Sequence, residues 1–536
     1  MYADPLMQES IKKVEAARAE NIKLDPRRMT ADEKDELLKT YHPDYRENQF
    51  DTLSIGPDKG QKVPLELKAL LEGKSRLAGR ELDLTKPDYE ADVLIIGGGG
   101  AGCSAAIEAN EAGANVMLVT KLRMGDANTM MAEGGIQAAD KPNDSPAQHF
   151  LDAFGGGHFA AQKDLLKKLV SDAPEAIQWL SSLGVEFDKA KDGTMITTHG
   201  GGTSRKRMHA AKDYSGAEIM RTLRDEVLNR GIKVVDFTSA IELIKDDKGA
   251  VAGAVLMNME TEELYIARAK AVILATGGAG RLHYQGFPTS NHYGATADGL
   301  ILGYRAGAHL MYPDTLQYHP TGAAFPAQIY GALVTEKVRS VGAMLVNAEG
   351  EVFMNPLETR DVSAASIIRE CSTRGKGIKT PEGSAVWLDT PMIELKNGEG
   401  TIEKRIPAMM RMFAKHGIDI RKEPILVYPT LHYQNGGLHI SVNGETDVQN
   451  LFAAGEVVGG IHGRNRLMGN SLLDIIVFGR NAGQKAAARV KETEVPTGLT
   501  LKHVADYEAE RTAAGVTDDT ASPRLLPDYV KKNNRL

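Results

Sequence analysis

The 536-residue chain carries two cysteines, Cys103 and Cys371. Iron–sulfur clusters take four thiolates as a rule, so this chain cannot ligate one unaided. Long apolar runs are missing too. None approaches the ~20 residues of a membrane helix. The N-terminus carries acids early and lacks the apolar segment of a signal peptide. Direct membrane insertion is therefore not expected. The expected compartment is the cytoplasm, where a structural disulfide is also not expected. Excess positive charge is absent: the net charge is −7, so nothing points to a nucleic-acid partner. No H-E-x-x-H, no G-x-S-x-G and no paired cysteines occur, and the histidines are scattered, so no metal site is expected. Repeats and low-complexity tracts are lacking as well. What remains is ordinary for a soluble globular protein, at 42% hydrophobic and 25% charged residues. The length allows a large core and more than one domain.

Glycine is what stands out. Asp92-Val-Leu-Ile-Ile-Gly97-Gly-Gly-Gly-Ala-Gly102 is an apolar run followed by a glycine turn. A small-residue, helix-like stretch and a second apolar run, Asn115 to Val119, follow. The pattern predicts strand, turn, helix and strand. Gly97, Gly99 and Gly102 fill G-x-G-x-x-G, which serves the tight turn, close approach to a pyrophosphate and helix-on-strand packing. The helix N-terminus then faces the phosphates. The acid that often meets the ribose about twenty residues on is replaced by Thr120-Lys121, which weakens an NAD reading and leaves FAD open.

The remaining chain predicts an α/β fold: an FAD-binding Rossmann-like domain with an inserted α+β capping domain, a helical N-terminal extension and a short C-terminal tail. Residues 1–88 are rich in Lys, Glu and Asp, with a helix from Gln8 to Leu24 and a capping box at Thr30–Glu33 opening a second. This extension is expected as a solvated arm or a docking surface. Strand and helix signals alternate through 89–311, predicting a parallel sheet with helices on both faces. Ala271–Ala275 runs into a second glycine turn, Thr276-Gly277-Gly278. The texture changes over 312–427, the expected insertion, and the α/β pattern resumes over 428–490 with a closing helix from Asn470. Residues 491–536 read as a charged tail. Arg205-Lys206-Arg207 reads as a solvated basic face.

Six ordered motifs make the chain, from about 90 to 490, resemble the flavoprotein subunit of the succinate dehydrogenase and fumarate reductase family, which includes L-aspartate oxidase. They are the glycine turn, Asn128-Thr129-Met-Met-Ala-Glu-Gly134-Gly135, Ala275-Thr276-Gly277-Gly278, Gln317-Tyr-His319-Pro-Thr-Gly, Leu431-His432-Tyr433, and His462-Gly-Arg-Asn-Arg466-Leu-Met-Gly-Asn-Ser471-Leu472.

The resemblance implies FAD held in the split domain beneath the inserted one. Asp298, Glu456, Ser471 and Leu472 fall on FAD-contacting positions, and the glycine and Asn128 motifs extend that set, with Lys121. Covalent members attach FAD through a histidine directly before the Thr of the Asn128-Thr129 pair. Here Asn128 takes that place, so non-covalent FAD is expected. His319, Thr335, His432 and Arg466 match carboxylate-binding positions, with donors suited to that task. Arg360 matches the proton donor, with Glu336 and Arg339 as the relay that reprotonates it. A like charge at Arg339 eases proton loss from Arg360. Two departures stand out. Lys337 and Ser340 replace glycine-rich neighbours. His199, before Gly200-Gly201, stands where the dehydrogenases and reductases usually have phenylalanine and L-aspartate oxidase has glutamate. His199 is therefore a substrate-contact candidate that changes charge near neutral pH. His209-Ala-Ala and Asp213 also echo the oxidase.

The expected function is an FAD oxidoreductase acting on CH–CH bonds, passing a hydride from flavin N5 to a C4 dicarboxylate, fumarate to succinate. A separate iron–sulfur subunit is the expected electron source, with the N-terminal extension a candidate docking surface. Amino-acid oxidation of the L-aspartate oxidase type, or electron transfer within a larger redox complex, are the alternatives.

Overall fold

The computed structural model describes residues 2–529; Met1 and residues 530–536 of the expected tail lie outside the described residues. The chain is an α/β protein. The glycine-turn unit forms as the sequence pattern predicts: strand Tyr89–Ile96, helix Gly100–Glu111, strand Val116–Val119. These two strands lie parallel in register, Val93 opposite Val116 and Ile96 opposite Val119. Lys233–Val235 extends the parallel set on one side and Leu264–Leu274 on the other. Leu451–Ala453, almost two hundred residues later, pairs with the end of Leu264–Leu274. That return makes the domain discontinuous in sequence.

The sheet is mixed, not all parallel. Thr238–Lys245, Val251–Asn258 and the start of Leu264–Leu274 run antiparallel. Their connections are too short for the crossover that parallel pairing needs. The closing helix Asn470–Glu492 lies against Gly100–Glu111, Gly479 meeting the backbone of Ala101 and Gly483 that of Ala105.

The inserted segment builds a second, antiparallel sheet in the order Leu316–Ala323, Ile425–Gln434, Gly383–Asp389, Met344–Val346. It has its own core around Trp387, Leu388, Phe413 and Ile425. Arg360–Cys371 is its long helix.

The N-terminal extension is no solvated arm. Thr30 and Glu33 close the expected capping box, and helix Ala31–Tyr41 places Leu37 and Leu38 on Val362 and Ala365 of the Arg360 helix. Helix Pro5–Asn21 puts Met7 and Val14 into the inserted segment's core. From Leu53 to Leu71 the extension's apolar residues join the core of the first sheet. It therefore spans both sheets. The expected charged tail is likewise built in: helix Lys502–Ala513 is followed by strand Ala521–Ser522, which pairs with Lys74–Ser75. Among the described residues, no helix is long and apolar enough to cross a membrane.

Candidate active site

A cleft of about 1320 Å³, open solvent included, runs along the carboxyl ends of the parallel strands, where ligands of open α/β sheets sit. Its lining includes Gly97, Gly99, Lys121, Asn128, Thr129, Ala275, Thr276, Gly277, Asp298, Glu456, Ser471 and Leu472 of the expected cofactor set. Gly102, Gly134 and Gly135 are not on that surface. They serve packing instead. A Cβ on Gly102 would collide with the Gly97 carbonyl, one on Gly134 with Met468, and one on Gly135 with the His209 carbonyl. Gly97 itself has φ 118° and no room for a Cβ against Ala275, so the turn demands glycine there.

The cleft fits FAD on its own chemistry. Helix Gly100–Glu111 opens onto it, which favours a pyrophosphate. The Thr276 hydroxyl is buried without a partner among the described residues, as a group awaiting a ligand would be. Asn128 is held on three sides. Its amide donates to Asn291 Oδ1 and Glu456 Oε2, each at 3.1 Å, and its carbonyl accepts from the His292 N–H at 2.7 Å. Burial pushes the Glu456 carboxyl up, opposed by its bonds from the Gln434 N–H and Asn128. Lys121 and Asp298 form an ion pair at 2.5 Å on the cleft wall.

At one end the cleft meets a buried cationic cluster. Strand Leu316–Ala323 brings Gln317 and His319, and strand Ile425–Gln434 brings His432, with Gln317 opposite Tyr433. Arg360 is the first residue of its helix, and Arg466 precedes the closing helix. Gln317 Oε1 accepts from Arg360 Nη1 and from Arg466 Nη2, both at 2.9 Å. Arg466 Nη1 donates to Ser471 Oγ at 3.0 Å, and its guanidinium lies 4.2 Å from the Tyr433 ring centre. Arg466, His432 and Ser471 also line the cleft.

Glu336 links the arginines. It accepts from Arg360 Nε at 2.9 Å and from the Gly201 N–H at 2.5 Å, and Arg339 lies 3.6 Å away. Burial pushes the Glu336 carboxyl up, but the Arg360 and Arg339 guanidiniums outweigh it and hold it below its usual range. Burial, then repulsion from Arg360, drops Arg466 to about 9. Burial and the same arginine press His319 and His432 well below the ordinary imidazole value, so both rings are neutral at pH 7. Three guanidiniums thus stand close together, with Glu336 bonded to Arg360 and Glu456 acting on Arg466 from the cleft side.

The neutral rings are oriented. The Thr321 N–H meets His319 Nδ1 at 3.3 Å, which makes Nδ1 the acceptor and Nε2 the N–H donor. That Nε2 is buried and without a partner among the described residues, as is Arg466 Nε. His432 Nδ1 lies 2.7 Å from Ser290 Oγ. Buried guanidiniums and buried donors without a protein partner among the described residues favour an anion at this end of the cleft.

Two candidates stand back from this cluster. Thr335 is buried beside Glu336, its hydroxyl 3.4 Å from the Lys337 N–H. His199 is half-buried, with Nδ1 3.5 Å from Thr203 Oγ1, and burial followed by Lys206, Arg28 and Arg207 lowers it. It adjoins the cluster only through the loop whose Gly201 N–H reaches Glu336.

Sequence reasoning passed over Gln317 and Ser290, which organise the arginines and His432. Gln317 stood inside a quoted motif but carried no role; Ser290 had no signal. One other expectation changes. Arg207 is not on a solvated face: it is 1% exposed and paired to Asp144 at 2.7 Å and Asp152 at 2.6 Å. Asp213 accepts from the Ala408 and Met409 N–H groups, at 2.9 and 3.0 Å, at the start of helix Pro407–Ala414.

Residues 92–472 match the family described as FAD binding domain. The chain is 39% identical to a subunit of the fumarate reductase (CoM/CoB) of Methanothermobacter marburgensis, over 82% of this chain and 80% of that one. It is 36% identical to an L-aspartate oxidase of Streptomyces coelicolor, over 75% and 70%. A quinol–fumarate reductase solved with menaquinol molecules superposes at TM-score 0.71, with 33% identity over 79% of this chain and 75% of that one.

Proposed function

The chain belongs to the FAD-binding family of succinate dehydrogenase and fumarate reductase flavoprotein subunits, and from that membership we propose that it reduces the double bond of a C4 dicarboxylate, fumarate to succinate. The observation that carries this reading is the shared Gln317 oxygen, which sets Arg360 and Arg466 side by side at the end of the cofactor cleft. When bound, FAD supplies the hydride that such a reduction needs.

The chain's own residues supply the rest. Arg466 grips one carboxylate through its fork. His319, neutral, donates from Nε2, and His432 adds a directed donor beside it. These donors are preorganised where negative charge builds on the carboxylate, and each is worth ~3 kcal/mol by analogy with other enzymes. Arg360 holds a proton at its guanidinium and gives it to the carbon that does not receive the hydride. Glu336, bonded to Arg360 Nε and close to Arg339, returns that proton. Because arginine is a weak acid, the step needs a strongly basic carbon and a relay already in contact. Burial keeps water from quenching that carbon.

Electrons reach the cleft from a partner, and a separate iron–sulfur subunit is the donor this reading calls for. Cys103 is buried in the glycine-turn helix and Cys371 lies in the Arg360 helix, and no group of three or more metal-ligating side chains occurs among the described residues.

The test is to reduce the purified flavoprotein anaerobically and add fumarate. The oxidised flavin band should return, and in Arg360→Ala the return should slow by about 10²-fold or more. No return in the wild type with FAD bound would overturn the assignment. Bleaching of the oxidised flavin by L-aspartate would move it to amine oxidation.

A further inference from the structure

The Lys121–Asp298 pair on the cleft wall is bracketed by one residue from the far end of the described chain. The Leu525 carbonyl accepts from Lys121 Nζ at 2.5 Å, and the Leu525 N–H donates to Asp298 Oδ1 at 3.3 Å. Lys121 also donates to Asp298 Oδ2 at 2.5 Å and Thr296 Oγ1 at 2.7 Å. An ammonium has three N–H donors, so all three are taken by protein. Lys121 is therefore a fixed post, not a free hand for a phosphate. Asp298 accepts from Lys121, Thr296 and Leu525. A carboxylate has about four acceptor sites, which leaves about one for a ligand hydroxyl.

The bracket depends on an unusual backbone. Leu525 has φ 70°, a conformation that a bulky residue avoids unless its surroundings impose it. Those surroundings come from the N-terminal extension and from the first sheet. Ala521–Ser522 pairs with Lys74–Ser75, and Arg76 donates from Nε to the Pro523 carbonyl at 2.6 Å and from Nη2 to the Arg524 carbonyl at 3.0 Å. The Leu525 side chain then sits among Leu77, Ile241, Ile244 and Ile266. Beyond it, Tyr529 receives a bond from Arg281 at 2.7 Å.

We infer that segments 74–77 and 521–525 form a clasp that fixes the Lys121–Asp298 pair and thereby governs how tightly the adenosine half of FAD is held. The position of the pair supports that half of the ligand: Lys121 follows the second strand of the glycine-turn unit, where the ribose of a bound dinucleotide lies. Lys121 and Asp298 are wall residues; Arg76 and Leu525 act through them as positioning residues. The inference depends on FAD occupying the cleft and not on the substrate.

Full-length Arg76→Ala and Leu525→Ala test it. Three quantities are read: the rate of FAD release followed by flavin fluorescence, the affinity of the FAD-depleted protein for ADP, and the melting temperature. ADP carries the adenosine and pyrophosphate without the flavin ring. Release should quicken, and ADP affinity fall, by about tenfold in both variants, with Arg76→Lys restoring part of each. The visible band shape at saturating FAD should not change. Release and ADP affinity within about twofold of wild type in both variants would overturn the clasp. So would a loss that follows the melting temperature alone and spares ADP affinity.

Discussion

Arg360 and Arg466 donate to the same oxygen. Gln317 Oε1 lies 2.9 Å from one N–H group of each, so a neutral amide joins two like charges that would otherwise repel across a buried gap. The amide can release both when an anion with more negative charge arrives. Replacing it by a carboxylate removes that option. Gln317→Glu should set a carboxylate between the two guanidiniums and compete with the dicarboxylate. Its KM should rise by about tenfold or more, with a smaller change in kcat. Steady-state kinetics in fumarate check this.

Alkaline pH should weaken dicarboxylate binding in a defined window. Burial and Arg360 bring Arg466 down to about 9, and only the charged guanidinium grips a carboxylate. Affinity should therefore be full below about 9 and fall as pH rises through it. Titration of succinate against the oxidised flavoprotein between pH 7 and 10 measures this. An Arg466→Lys variant should bind far more weakly at every pH, because lysine lacks the fork.

Glu336→Gln separates binding from proton return. The amide keeps the size of the carboxylate but cannot carry the proton, and it leaves Arg360 and Arg339 without their shared counter-charge. Turnover should drop by about 10²- to 10⁴-fold, while succinate still binds. A variant that loses binding and turnover in proportion would place Glu336 in anion recognition instead.

Flavin should leave the denatured protein. Asn128 occupies the expected attachment position, and its amide is spent on Asn291 and Glu456. Precipitation with acid should give a colourless pellet and all FAD in the supernatant. A yellow pellet would show a covalent bond.

The start of the Arg360 helix leans on the N-terminal extension. Glu358, two residues upstream and 1% exposed, accepts from the Met29 N–H at 2.7 Å and pairs with Lys34 at 2.9 Å. Glu358→Ala leaves that N–H unpaired. It should cost about 1–3 kcal/mol in denaturant unfolding. kcat should fall as well, since the first residue of the helix that follows is the proposed proton donor.

The FAD cleft and the cationic residues were legible in the amino-acid order because both are written in local chemistry. Glycine at 97 is demanded by a positive φ directly after the strand that leads into the turn, and the motifs around His319, His432 and Arg466 keep their residue types together. Gln317 lay inside one of those motifs, yet its role as the acceptor between two arginines appears only when three distant segments meet. Arg207 shows the limit in the other direction: a three-residue basic run says nothing of Asp144 and Asp152, which the fold brings against it from more than fifty positions away.

The sequence by itself determined the α/β class, the dinucleotide turn and the set of arginine and histidine side chains at the end of the cleft, since strand period, glycine conformation and residue type are local properties. Only the tertiary structure decided how the ends of the chain are used. The extension, read as an arm or a docking surface, and the stretch read as a tail each bury apolar residues against surfaces formed by segments hundreds of positions away. Leu525 reaches Lys121 and Asp298 for the same reason: long-range burial and backbone pairing choose partners by shape and register, which no window of sequence records.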